Sequence, residues 1–324
     1  MRTRTLGYSG LDLTTIGLGT WAMGGGGWKF AWGAQDDAES IRSIQAALDA
    51  GVNWIDTAAI YGHGHAEEIV GRAIKGRRDD VLVATKCGRV WEGTSRDIGR
   101  CLRRDSVFAE VDASLRRLGI ERIDLYQMHW PEPDEQIEEG WAAMAELVRM
   151  GKVRVAGVCN FSLAQLKRVQ PIHPVASLQP PYSMLKRDIE TDIVAWCEAH
   201  HTGLLAYSPM QAGLLTGAFT AERAAALGED DWRSRNPLFQ EPQLSATLRL
   251  VDGMRPVAAR LGLTVAQLVL GWVLRLPAMT SAIAGARSAE QIQETVKAGD
   301  VTLSPEVIAE IERLLGRRSA EVGA

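Results

Sequence analysis

An aspartate and a tyrosine stand five residues apart in Gly51-Val52-Asn53-Trp54-Ile55-Asp56-Thr57-Ala58-Ala59-Ile60-Tyr61-Gly62, where an apolar run gives way to polar groups. Two further apolar runs end in the same manner. Val81-Leu82-Val83-Ala84-Thr85 stops at Lys86, and Ile123-Asp124-Leu125-Tyr126-Gln127-Met128 stops at His129. An acid, a phenol, an ammonium and an imidazole that meet in one place can move a proton and stabilise the charge that develops as it moves. Taken singly, each has a plain reading: Asp56 as a strand-end cap, Tyr61 as a loop aromatic, Lys86 as a solvated terminus, His129 as a satisfied core histidine. Four complementary types at successive strand ends call for a joint one.

Such residues converge only if their strands run parallel and end on one face, as in a parallel barrel. Apolar runs of strand length alternate with amphipathic helical ones along the whole chain, the pattern of a parallel sheet. Strands are predicted near 16–20, 53–57, 81–86, 123–129, 154–159, 176–179, 203–208 and 281–285. Between them, helices are predicted near 36–50, 66–75, 105–118, 134–150, 163–169, 188–200, 264–275 and 289–298. Asp105 and Ser162 are candidate N-caps, and Thr264 with Gln267 reads as a capping box. Short segments 3–6 and 12–14 around Ser9-Gly10 read as a hairpin before the first strand. Eight strands with eight helices specify one (β/α)8 TIM barrel occupying 1–324 as a single domain. The interval 210–245 after strand seven shows little periodicity beyond a helical stretch near 221–226, and a loop of that length is expected to overhang the active face.

Composition agrees with a globular protein: 324 residues, 46% hydrophobic and 23% charged. A net charge of -4 argues against a nucleic-acid partner. No run of 18 apolar residues suggests a membrane span, and no apolar leader follows Met1, so a cytoplasmic location is expected. Cys87, Cys101, Cys159 and Cys197 lack the spacing of a disulfide framework or a zinc site. His63-Gly64-His65 has no further ligand cluster and reads as a turn, so no metal is expected.

The tetrad and its flanks resemble the aldo-keto reductases, in particular the bacterial branch that is similar to potassium-channel β subunits. Further pieces follow in the family's order: Gly157-Val158-Cys159-Asn160-Phe161, Gln179-Pro180-Pro181-Tyr182, Ala206-Tyr207-Ser208-Pro209 and Gly285-Ala286-Arg287-Ser288. The likeness runs from about Ile16 to the helix near Leu314, with Cys159 standing where many members have Ser. It implies reduction of a carbonyl by a nicotinamide, with Tyr61 as acid, Lys86 lowering the phenol's pKa from roughly 10, Asp56 aligning Lys86, and His129 orienting the carbonyl. It also implies that Asn160 and Gln179 bind the carboxamide, that Tyr207 stacks on the nicotinamide, and that Gln291 and Glu294 touch the adenosine. Arg287 and Ser288, at the turn into a helix, suit a 2′-phosphate. The cofactor implied is NADPH/NADP+, with NADH weaker.

Gly17-Leu18-Gly19-Thr20-Trp21-Ala22 matches a dinucleotide fingerprint, yet Gly24-Gly25-Gly26-Gly27 follows where that motif needs a helix, and it reads as a strand and a flexible loop. Tryptophan is plentiful near the strand ends, at Trp21, Trp28, Trp32, Trp91 and Trp130. Of these, Trp21, Trp91 and Trp130 are expected to wall an apolar substrate pocket. Two activities fit: an NADP-dependent reductase of aldehydes or ketones, or a slow-turnover regulatory subunit that senses redox state through bound NADPH.

Overall fold

In a computed structural model, which describes residues 1–93, 95, 97–228 and 231–323, all eight predicted strands form. They are β1 (Ile16–Gly19), β2 (Trp54–Asp56), β3 (Leu82–Cys87), β4 (Ile123–Met128), β5 (Val153–Cys159), β6 (Ser177–Gln179), β7 (Gly203–Ala206) and β8 (Met279–Gly285). Each pairs in parallel with its chain neighbours, and β8 returns to β1 through Ala282 opposite Ile16, closing a barrel. β1, β2, β4, β6 and β7 are buried along their whole length. That is why these segments read as unbroken apolar runs rather than alternating ones.

The surrounding helices are α1 (Asp37–Asp49), α2 (His65–Ala73), α3 (Arg104–Leu118), α4 (Ile137–Arg149), α5 (Leu163–Val169), α6 (Ile193–Ala199), α7 (Ala221–Ala225), α8 (Gln243–Arg260), α9 (Val265–Val273), α10 (Ala289–Thr295) and α11 (Pro305–Val322). Their inward stripes follow helical spacing: Val107, Val111, Ser114 and Leu118 on α3, and Ile137, Trp141, Met144 and Leu147 among others on α4. Ser162 and Thr264 both head capping boxes, with Gln165 and Gln267. Asp105 is not an N-cap. The helix starts one residue earlier, after Arg103, and places Asp105 in its first turn, where a carboxylate favours the positive end of the helix.

The hairpin Thr3–Thr5 with Asp12–Thr14 plugs the N-terminal mouth of the barrel. Leu6, Leu11 and Leu13 cluster with Trp54, Leu125 and Leu205 from the barrel strands. Trp54 lies so close to β1 that a Cβ on Gly17 would meet its ring at 2.1 Å, so only glycine fits there. This packing, rather than a dinucleotide fingerprint, accounts for the first glycine of the Gly17–Ala22 motif.

Three segments differ from their sequence-based expectation. The interval after β7 is more ordered than its weak periodicity suggested: α7 and the 3-10 turns Trp232–Arg235 and Pro237–Phe239 fold over a small core of Leu214, Phe219, Phe239 and Leu244. α8 was not anticipated, because Gly253 and Pro256 interrupt its pattern; it nonetheless buries Leu250, Val251, Met254 and Val257 and packs against α11. The Gly24–Gly27 run is likewise not wholly loose. Its first glycine lies on the backbone of Gly62, where an added Cβ would sit 2.7 Å from the Gly62 nitrogen, which ties the loop after β1 to the loop after β2. Among the described residues, no single helix is long and apolar enough to cross a membrane.

Candidate active site

The C-terminal strand ends open into a cleft of about 610 Å³. At its floor, Lys86 at the end of β3 is completely buried, and its ammonium has three donors to place. It donates to Asp56 Oδ2 at 2.8 Å, to the Thr57 carbonyl at 2.8 Å and to the Tyr61 hydroxyl at 3.3 Å. A buried cation is tolerable only when its charge is paired and its donors are used, and both conditions hold here. The other Asp56 oxygen accepts from Gln179 Nε2 at 2.8 Å and from Gln127 Nε2 at 3.5 Å. Gln127 is a member of this network that the sequence reading missed. The available signal was a lone amide inside the otherwise apolar run that ends at His129.

Tyr61 borders the cleft, and its hydroxyl already accepts a hydrogen bond from Lys86. Among the described residues, the phenol's own proton has no protein acceptor. The expectation that Lys86 lowers the phenol's pKa is not met in net terms: burial outweighs the neighbouring ammonium and pushes Tyr61 up to about 12. The Asp56 charge adds to the rise. At neutral pH the group is therefore a phenol with its proton in hand. The ammonium keeps a raised pKa despite burial, because Asp56 and Tyr61 favour its charged form.

His129 meets Tyr61 edge to face, with ring centroids 5.9 Å apart. Burial, then the charges of Lys86 and Arg89, hold its imidazole well below the usual range, so it is neutral at pH 7. Its backbone is pinned from both sides. The His129 amide donates to the Cys87 carbonyl, and the His129 carbonyl accepts from Asn160 Nδ2 at 3.0 Å. Asn160 adopts φ +62°, and its side-chain oxygen accepts from the Tyr207 hydroxyl at 2.8 Å. Asn160, Gln179 and Tyr207 all line the cleft, while Cys159 is buried beside them with its thiol pKa raised by burial.

At the far side of the mouth, Arg287, Gln291 and Glu294 line the cleft from β8 and α10. Arg287 Nε donates to Gln35 Oε1 at 2.8 Å, and Nη2 donates to the Ala34 carbonyl at 2.6 Å, so it clasps the loop after β1. Ser288 caps α10 by accepting from the Gln291 amide, and Gln291 Oε1 accepts from the Arg287 amide.

Trp21 and Trp130 line the cleft, as do Trp28 and Trp32. Trp91 does not: its ring lies 5.5 Å from His63 and 6.0 Å from the Arg117 guanidinium, and it is absent from the cleft lining. Trp21 makes two stacked contacts. Tyr61 stacks on it at 6.1 Å and 12°, and Trp232 from the interval after β7 stacks at 6.1 Å and 7°. His65, from the suspected turn, rests on Asp37 at 2.8 Å.

A model of the aldo/keto reductase family matches residues 15–315. The chain belongs to that family. It is 38% identical to the aldo-keto reductase YhdN of Bacillus subtilis, over 97% of this chain and 94% of the relative. It is 34% identical to an NADH-specific methylglyoxal reductase of Escherichia coli, over 94% and 95%. A probable voltage-gated potassium channel β subunit of Arabidopsis thaliana shares 32% identity over 97% of both chains, which supports the branch read from the sequence. Among solved structures, a glycerol dehydrogenase of Gluconobacter oxydans superposes with a TM-score of 0.89 at 38% identity, covering 98% of this chain and 95% of that one. An aldo/keto reductase of Klebsiella pneumoniae, solved with NADP and acetate, has a TM-score of 0.74 at 31% identity, covering 97% and 96%.

Proposed function

We propose that this aldo/keto reductase, with 1–324 acting as one barrel unit, reduces aldehyde or ketone carbonyls using NADPH, with Tyr61 as the general acid. The observation that carries the reading is the division of hydrogen bonds at Tyr61. Its oxygen accepts from Lys86 while its own proton is left without a protein acceptor at the edge of the cleft, so a carbonyl oxygen arriving there meets a donor already polarised by a cation. As the proton leaves, the phenolate is stabilised by the adjacent ammonium, whose position Asp56 fixes. Neutral His129 has one imidazole N–H to donate to the same carbonyl oxygen and adds no charge there. When bound, the nicotinamide supplies the hydride.

The donor set suits that cofactor. Gln179 Oε1 has no protein partner among the described residues, and Asn160 has an amide proton to spare, so a carboxamide fits between them. The flat Tyr207 ring borders the same space, and Arg287 with Ser288 at the head of α10 suits a 2′-phosphate, with Gln291 and Glu294 beside the adenosine. The NADP-bound structure supports NADP(H), and the relative named as NADH-specific supports NADH as an alternative partner.

The similarity to a channel β subunit supports a second reading, a slow redox sensor that holds NADPH. NADPH oxidation against aldehydes, dicarbonyls and ketones, paired with single-turnover kinetics of bound cofactor, separates the two. Multiple turnovers with aromatic or medium-chain aldehydes preferred are expected from the aromatic walls of Trp21 and Trp130. One oxidation per site followed by slow release across the whole panel supports the sensor instead. Absence of NADPH binding overturns both.

A further inference from the structure

The loop after β3 carries a two-stranded hairpin, Arg89–Val90 paired with Gly99–Arg100, and both of its arginines line the cleft together with Ile98, His129 and Trp130. Arg89 Nη2 donates to Glu132 Oε2 at 2.8 Å, and Arg100 Nε lies 3.2 Å from the same oxygen. Two guanidiniums thus share one carboxylate, which leaves a net positive charge. Among the described residues, the remaining guanidinium nitrogens of the pair have no hydrogen-bond partner. Arg89 is also pressed against the Trp130 ring at 5.6 Å with its side chain only 14% exposed, whereas Arg100 is 60% exposed at the rim.

The place of this charge in the barrel matters. β3 and β7 are four strands apart in a closed ring of eight, so they stand on opposite sides of the mouth. Arg233 and Arg287, which border the cleft from the interval after β7 and from the turn after β8, belong to the side assigned to the cofactor. The Arg89 and Arg100 pair therefore lies across the reacting centre from them, next to His129. Arg89 and His129 line the same cleft, and after burial and Lys86 the Arg89 charge adds to what holds the imidazole low. Glu132 marks how a carboxylate sits against the pair, and a planar fork of donors is suited to bind a second one.

We infer that Arg89 and Arg100 form an anion subsite that selects carbonyl substrates bearing a carboxylate, with the acid group at the hairpin and the carbonyl at Tyr61 and His129. The inference rests on the reductase reading for its turnover readout but not for its binding readout. An apolar wall alone would rank substrates by area buried. A cationic subsite ranks them by charge and weakens as salt screens it, most of all at the exposed Arg100.

Two measurements test this on the full-length protein. The first is kcat/KM with 4-carboxybenzaldehyde against its methyl ester, which match in shape and differ in charge. The acid is expected to lead by about tenfold or more at low salt, with the lead shrinking as sodium chloride is raised. Arg100→Met should collapse the acid-to-ester ratio through KM, and Glu132→Gln should widen it by removing the competing carboxylate. A purely structural ion pair predicts an unchanged acid-to-ester ratio for Glu132→Gln. The second is equilibrium binding of benzoate against benzamide, followed by quenching of tryptophan fluorescence and needing no turnover. Selective benzoate binding without reduction of either aldehyde would keep the subsite and discard the reductase reading. Equal ratios for acid and ester together with equal binding of benzoate and benzamide, or a preference that survives both Arg89→Met and Arg100→Met, would overturn the subsite.

Discussion

The floor and the roof of the cleft are built in different ways. The floor is a set of charged hydrogen bonds at the strand ends, where Lys86, Asp56 and Gln179 sit on strands that pair on both sides and the Tyr61 hydroxyl reaches in from the turn after β2. The roof is a set of aromatic faces carried on loops, with Trp21 stacked on both Trp232 and Tyr61 and with Trp28 and Trp32 packed around Trp21. A charged network in a dry site is unforgiving, since each partner removed strands another. Stacked rings each contribute about 0.5–1.5 kcal/mol beyond their burial and tolerate rearrangement. On the proposed function, chemistry belongs to the floor and substrate choice to the roof.

The strongest way to break that contrast is Lys86→Met. It should lower turnover by about a thousandfold and also cost roughly 3–5 kcal/mol, because Asp56 is left buried without its cation. Urea unfolding beside steady-state kinetics measures both, and a stable variant would show that the floor is not a charged keystone. On the cofactor side, Arg287→Ala should weaken NADPH by roughly 10- to 100-fold while changing NADH only a few-fold, since a charge-assisted contact to a 2′-phosphate exists in one cofactor alone. Equal losses for both, read by fluorescence titration, would assign Arg287 to its clasp on Ala34 and Gln35.

Trp21→Ala probes the roof. It should raise KM for aromatic aldehydes by about tenfold, change kcat far less, and lower the melting midpoint by only a few degrees, because two stacked partners lose one face each. A thousandfold fall in kcat would move Trp21 into the floor.

The smallest effect is expected at the seam between the regions, where Glu110 of α3 accepts from the Gly88 amide at 2.9 Å and from Ser106, holding the start of the Arg89 hairpin loop. Burial raises this carboxyl to about 7, against an unfolded value near roughly 4.3. The folded state thus binds the extra proton between those values. Its stabilisation is fully present below the unfolded pKa and is lost as pH rises through about 7, a change of about 1–2 kcal/mol after allowing for partial exposure. Chemical denaturation at pH 5 and pH 8 should show that slope in the parent protein, and Glu110→Gln should flatten it.

The same contrast explains what the sequence disclosed. Strand-end residues were legible because a buried parallel strand leaves an unbroken apolar run, and the first polar group after it stands on the active face; Asp56, Lys86 and His129 all announce themselves in this way. Capping boxes at Ser162 and Thr264 were legible because both partners lie within one helical turn. Trp91 and Trp130 follow β3 and β4 at similar remove, yet only Trp130 reaches the cleft, since a loop's path depends on distant partners such as Arg117 and His63. Trp232 lies 211 residues from Trp21, and no local pattern joins them. α8 was hidden by Gly253 and Pro256, whose cost is outweighed by the apolar surface the helix buries against α11. The net rise in the Tyr61 pKa was also beyond the sequence, because it depends on how deeply the hydroxyl is buried relative to a single ammonium.

The central claim is that Tyr61 delivers the proton from a site the cofactor does not need for binding. Tyr61→Phe keeps the ring that stacks on Trp21 and removes only the hydroxyl, so steady-state turnover with a responsive aldehyde, paired with a fluorescence titration of NADPH, isolates that function. A loss of about a thousandfold or more in kcat, with cofactor affinity held within a few-fold, is expected of a general acid; turnover within tenfold of the parent would remove Tyr61 from the acid role.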